Sequence, residues 1–110
     1  MAYLSDDEKL NKRFINLLFS DLPKGRLNKG YKRVLAEILN KDLKNSYSLV
    51  ECICRELNDD KTSRAAAEKI LAGKEFYYAF NLFNLLGDEK SELRAIKACH
   101  EFVDEQQENA

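Results

Sequence analysis

The stretch EFYYAFNLFNLL, residues 75–86, decides how the rest of the chain is read. Five of its twelve residues are aromatic (Phe76, Tyr77, Tyr78, Phe80, Phe83), and its one charge is Glu75 at the edge. As a helix it is about 18 Å long, short of the ~30 Å hydrocarbon core of a bilayer. Lys74 and Asp88 bracket it. At 100° per residue, Tyr77, Asn81 and Asn84 gather into an arc of about 60°, and apolar side chains take most of the remaining circumference. A helix apolar almost all round is one that others pack around. The expectation is a central helix over about 74–86, with Tyr77, Asn81 and Asn84 as its polar stripe or as part of an interface, since aromatics are enriched at interfaces.

Working outward, the pattern stays helical. Gly87 closes the stretch, and Asp88 opens a last helix whose apolar face is read as Leu93, Ile96, Cys99 and Val103, fraying into a polar tail at 105–110. Upstream, Gly73 sits where a C′ residue belongs, ending a helix that starts near Asp60 or Thr62 and carries Ala65, Ala66, Ala67, Ile70 and Leu71. In the first half, Ser5 and Glu8 form a capping box ahead of Leu10, Phe14, Leu17, Leu18 and Leu22, with Pro23 as the stop. A second helix is expected from Leu27 or Gly30 to Asn40, with Tyr31, Val34, Leu35, Ile38 and Leu39 at helical spacing. Ser48 and Glu51 suggest a second capping box, opening a helix with Leu49, Val50, Cys52, Ile53 and Leu57. No run alternates β-branched residues in the manner of a strand. The expected fold is all-α, a compact bundle of five to six short, largely orthogonal helices, forming one domain over 1–110.

Composition bounds the function. The chain has 110 residues, 45% of them hydrophobic and 34% charged, and a net charge of −1, which suits one core without disulfides or metal. Its beginning, MAYLSDDEKL, has no basic and no apolar segment of a secretory signal. Three cysteines, Cys52, Cys54 and Cys99, are an odd number and favour reduced thiols. A cytoplasmic protein with no membrane partner and no cofactor is expected.

The charges are segregated. Residues 24–44 hold seven basic groups (Lys24, Arg26, Lys29, Lys32, Arg33, Lys41, Lys44) against Glu37 and Asp42, while residues 88–110 hold seven acidic groups against three basic ones. Such a stripe fits either an acidic protein surface or a phosphate backbone. At a net charge of −1 the plain reading is a solvated face that balances the acidic C-terminus; if the face binds a partner, Lys24, Arg26, Lys29, Lys32, Arg33 and Lys41 are the candidate binding residues. The segment LAEILNKDLKNSYSLVECI has some likeness to a helix-turn-helix, but its turn is too long, and Glu51 and Glu56 would make its recognition helix acidic.

Little points to catalysis. The single histidine, His100, closes RAIKACH, residues 94–100. The spacing of Arg94 and His100 resembles the motif of HEPN ribonucleases, small helical-bundle proteins in which an arginine and a histidine cleave RNA together, usually across a dimer. That family commonly has a polar residue after the arginine; here it is Ala95. On a helix, residues six apart point about 120° apart. Cys52 and Cys54 are about 200° apart and cannot both ligate one metal from a regular helix. The sequence therefore suggests a non-enzymatic interaction or regulatory protein of the inhibitor, immunity, antitoxin or assembly-subunit type. Its alternatives are a nucleic-acid-binding accessory protein and, more remotely, a HEPN-like ribonuclease. The partner expected is another protein, with nucleic acid and a homodimer as the other choices.

Overall fold

A computed structural model describes residues 3–109 of the chain. The described residues form α1 (Asp6–Leu18), α2 (Lys24–Asn40), a 3-10 turn (Lys44–Ser46), α3 (Tyr47–Leu57), α4 (Asp60–Ala72), α5 (Phe76–Leu86) and α6 (Glu89–Glu108), with no strand among them. The structure is all-α, as expected, and its six α-helices fall within the five to six expected from the sequence. The helices group into two compact units, one through residue 59 and one from residue 60. None of the helices is long and apolar enough to cross a membrane.

In the first unit, the capping box forms as expected: the Ser5 hydroxyl accepts from the Glu8 amide at 3.2 Å, and the Glu8 carboxylate accepts from the Ser5 amide at 3.3 Å. Leu10 and Phe14 of α1 are buried, and the Phe14 ring lies 5.8 Å from that of Tyr31 on α2. Tyr31, Val34, Leu35 and Ile38 form the buried face of α2, and Tyr47, Val50, Ile53, Cys54 and Leu57 that of α3. Burial, with Glu56 nearby, pushes the Tyr31 phenol above its ordinary pKa.

Pro23 does not stop α1. That helix ends five residues earlier, at Leu18, and Pro23 instead leads into α2, which starts at Lys24 rather than Leu27 or Gly30. A proline at a helix start forfeits only an N–H that had no partner there anyway. Leu18 and Leu22, expected in the core, are exposed. The second expected capping box does not form: Ser48 lies inside α3, which follows directly on the 3-10 turn. The cap-position serine, Ser46, is buried and gives its hydroxyl to the Asp7 carboxylate of α1. Cys54, not Cys52, faces the core.

Gly30 has a packing role. A Cβ added there would lie 2.7 Å from Leu17 Cδ2 and 3.0 Å from Cδ1, so the missing side chain is what lets α1 approach α2.

In the second unit, α5 is the middle helix, packing against α4 and α6. Its fully buried residues are Ala79, Leu82 and Phe83. Ser63, Ala66, Ala67 and Ile70 face inward from α4. The reading of α6 is overturned. The residues it buries are Ser91 and Ala95, whereas Leu93, Ile96 and Val103 are 65%, 42% and 44% exposed. Small residues let the backbones of α5 and α6 come close, which turns the larger aliphatics outward. The polar tail is helical through Glu108; Ala110 lies outside the described residues.

Several helix ends share one device. Residues in the left-handed region close α2 (Asp42, φ 52°), α3 (Asn58, φ 48°), α4 (Lys74, φ 64°) and α5 (Gly87, φ 70°). After α2, α4 and α5, the amide one residue further on donates back to the carbonyl five residues earlier: Leu43 to Ile38, Glu75 to Ile70 and Asp88 to Phe83. The left-handed residue after α4 is Lys74, not Gly73 as the sequence suggested.

Candidate functional site

Two surfaces stand out, one on each unit. The first is the outer face of α2. With Val34, Leu35 and Ile38 directed inward, a 100° advance per residue puts Arg26, Lys29 and Arg33 within about 60° on the opposite side. All three are exposed, and no ion pair among the described residues involves them. Arg26 and Arg33 are two turns apart, about 10.5 Å along the axis. Lys32 lies to one side, its ammonium 4.0 Å from the Asp59 carboxylate. Lys24 begins the helix and Lys41 follows its end, both exposed. Five of the six expected basic residues thus lie on one helix, and three make a ridge.

This ridge contrasts with the chain's other arginines. Arg13 pairs with Glu37 at 2.8 Å, Arg55 with Glu51 at 2.8 Å, Arg64 with Asp88 at 2.6 Å, and Arg94 with Glu68. The hydrogen bond from Arg13 holds the Glu37 carboxyl below its ordinary pKa, with Lys41 adding to the effect. Asp88 is held well below the usual carboxylate range, first by the Ser91 hydroxyl, then by Arg64 and by the Ser91 amide that it caps. Of six arginines, only Arg26 and Arg33 are left without such a partner among the described residues.

The second surface is a groove between α5 and α6 with a cavity volume of about 330 Å³, lined by Phe76, Tyr77, Phe80, Ile96, Cys99 and His100, with Ala95 at its base. Phe76 also packs on Phe102, with ring centroids 5.6 Å apart, and the Lys74 ammonium sits 5.1 Å from the Phe102 centroid. Tyr77 is 71% exposed at the rim, and its ring meets that of Tyr78 edge-on. Asn81 is half-buried; Asn84 is exposed and donates its amide to Glu92 at 3.3 Å. The expected polar stripe therefore runs along the α6 side of α5.

Arg94 and His100 do not meet. The Arg94 guanidinium bonds Glu68 and the Ser91 hydroxyl and lies over the Phe83 ring, and Glu68 raises its pKa. His100 is exposed on the groove side. Cys52 is exposed, Cys54 buried and Cys99 half-buried. Sequence reasoning missed the groove because it placed Ile96 and Cys99 in the core. The signal was present in Ser91 and Ala95, which recur at a spacing of four on the face toward α5. Compared with known proteins, the chain matches no family model, no curated protein and no solved structure.

Proposed function

We propose that this protein works by binding, using the ridge of Arg26, Lys29 and Arg33 on α2 to dock onto an acidic surface of a partner protein. The observation that carries the reading is the arginine pairing: four of the six have an intramolecular carboxylate, and the two that lack one among the described residues lie two turns apart on one exposed helix face. An unpaired guanidinium is a fork of donors suited to a carboxylate. Segregated charge of this kind speeds and orients encounter. The net charge of −1 argues for a local acidic patch over a polyanion.

Nucleic-acid binding is the second reading, favoured by the same three cations in a row along one face, each able to neutralise a phosphate. Titration with duplex DNA and RNA separates the two. The protein reading expects no complex at about 50 mM salt, and capture of a partner from nuclease-treated lysate that is lost in Arg26→Glu/Arg33→Glu. Tight, salt-sensitive binding to both polymers would replace it with the second reading. Capture unchanged by the double reversal would sink the ridge itself.

A further inference from the structure

The outward face of α6 carries an apolar stripe at helical spacing. Leu93, Ile96, His100 and Val103 fall within about 80° of each other, roughly 140° round the axis from the Ser91–Ala95 face that packs on α5, with Ile96 and His100 also lining the groove beside α5. Their spacing of three, four and three is that of a coiled-coil seam, which two helices bury together. Three of the four are aliphatic, and all are exposed. The period of the stripe, with polar residues along both borders, suits it to a second helix.

We propose that the occupant of this stripe is a second copy of the chain, with the two α6 helices antiparallel about a two-fold axis near residue 98. The stripe is self-complementary in that direction. Read backwards, its spacing is again three, four and three, so Leu93 layers with Val103 of the second copy and Ile96 with His100 of the second copy, twice over. Every layer then contains an aliphatic side chain. A parallel pairing would stack His100 on His100.

The flanking charges agree. Lys90, Lys97 and Asp104 run along one border of the stripe, and the antiparallel register sets Lys90 of each copy beside Asp104 of the other. Lys97 meets its own counterpart near the axis, the one unfavourable pair. A parallel register would instead need Glu92 for Lys97, and Glu92 already accepts from Asn84. On the other border, the two-fold brings Cys99 next to Cys99 of the second copy. Self-complementarity of one patch is what an isologous dimer requires. Four layers make a small interface, so the dimer is weak. The inference concerns the second unit alone and stands whether or not the α2 ridge binds anything.

The test uses the full chain with Cys52→Ser, leaving Cys99 as the one thiol that is not buried. Sedimentation is expected to show a concentration-dependent dimer, and a short bis-maleimide is expected to link Cys99 to Cys99. Ile96→Asp, at an exposed site that leaves helix content intact, raises the dissociation constant about tenfold or more. Lys90→Asp weakens the dimer, Lys90→Asp/Asp104→Lys restores it, and Lys97→Ala tightens it. A chain that stays monomeric to about 1 mM, or a dimer indifferent to Ile96→Asp, overturns the proposal. A dimer that Cys99 does not link and the charge swap does not restore overturns the antiparallel arrangement.

Discussion

The guanidinium carbon of Arg94 lies 5.4 Å from the ring centroid of Phe83, the largest fully buried side chain among the described residues. Glu68 and Ser91 complete its surroundings, so the arginine is spent on joining α4, α5 and α6. Its position explains why it is not at hand for His100. Purified protein is expected to leave single-stranded and hairpin RNA uncut, while Arg94→Ala lowers the urea midpoint. Cleavage lost in both Arg94→Ala and His100→Ala would bring the ribonuclease reading back.

Phe83 and Phe80 should differ sharply in cost. Phe83 is 0% exposed, whereas Phe80 is half-buried on the groove wall. Phe83→Ala is expected to cost about 3–5 kcal/mol and Phe80→Ala roughly half as much, read by chemical denaturation. Equal losses would mean that the groove is closed in solution.

Gly25 and Gly30 provide an internal control on one helix. Nothing lies within 4 Å of a Cβ at Gly25, whereas one at Gly30 meets Leu17 at 2.7 Å. Alanine gains helix propensity at either place, by up to about 1 kcal/mol. Gly25→Ala should therefore stabilise, and Gly30→Ala should come out about 1 kcal/mol worse than it, because Leu17 must move. Thermal melts of the two variants decide this; matched gains would show that α1 does not sit tightly on α2.

Positions 74 and 87 share a left-handed backbone but not a residue type. Gly87→Ala meets no steric neighbour, so its cost is backbone strain alone, about 1–2 kcal/mol. Lys74→Gly relieves the same strain but gives up the contact with Phe102, leaving a net gain of a few tenths of a kcal/mol. If Gly87→Ala melts at the temperature of the parent, the α5 end does not adopt this turn.

Acid should weaken the fold through Asp88 and Glu37. Both carboxyls are held below their ordinary values of 3.8 and 4.5 in the folded chain. A depressed folded pKa contributes stability that is in place above the unfolded value and is lost as pH falls through the folded one. Denaturation midpoints should hold level from about pH 7 to 5 and fall below about pH 4. Asp88→Asn keeps a capping oxygen but removes the charge, so its profile should be flatter at the acid end. An unchanged slope would show that Asp88 is not engaged by Ser91 and Arg64.

The sequence disclosed helix number and class because periodicity and the Ser5–Glu8 box are local signals. It misplaced Pro23 because a proline both ends one helix and starts another well. It misread α6 because hydrophobicity alone assigns Leu93, Ile96 and Val103 to the interior, whereas close helix approach selects Ser91 and Ala95. The left-handed ends at Asp42 and Lys74 carry no glycine and so gave no warning. The basic ridge was visible as composition, but which of its cations lack a carboxylate depends on long-range pairs such as Arg13 with Glu37.

The order in which helices pack bears on how the chain is made. Within the first unit, α2 packs on α1 and α3 on α2; within the second, α5 packs on α4 and α6 on α5. Each helix thus finds its neighbour in what has just been synthesised. Such sequence-local topologies fold quickly, in the microsecond-to-millisecond range, far ahead of elongation at about 5–20 residues per second. Once residue 59 has cleared the ribosome, all the helices of the first unit are present and can settle on one another while the second unit is still being translated.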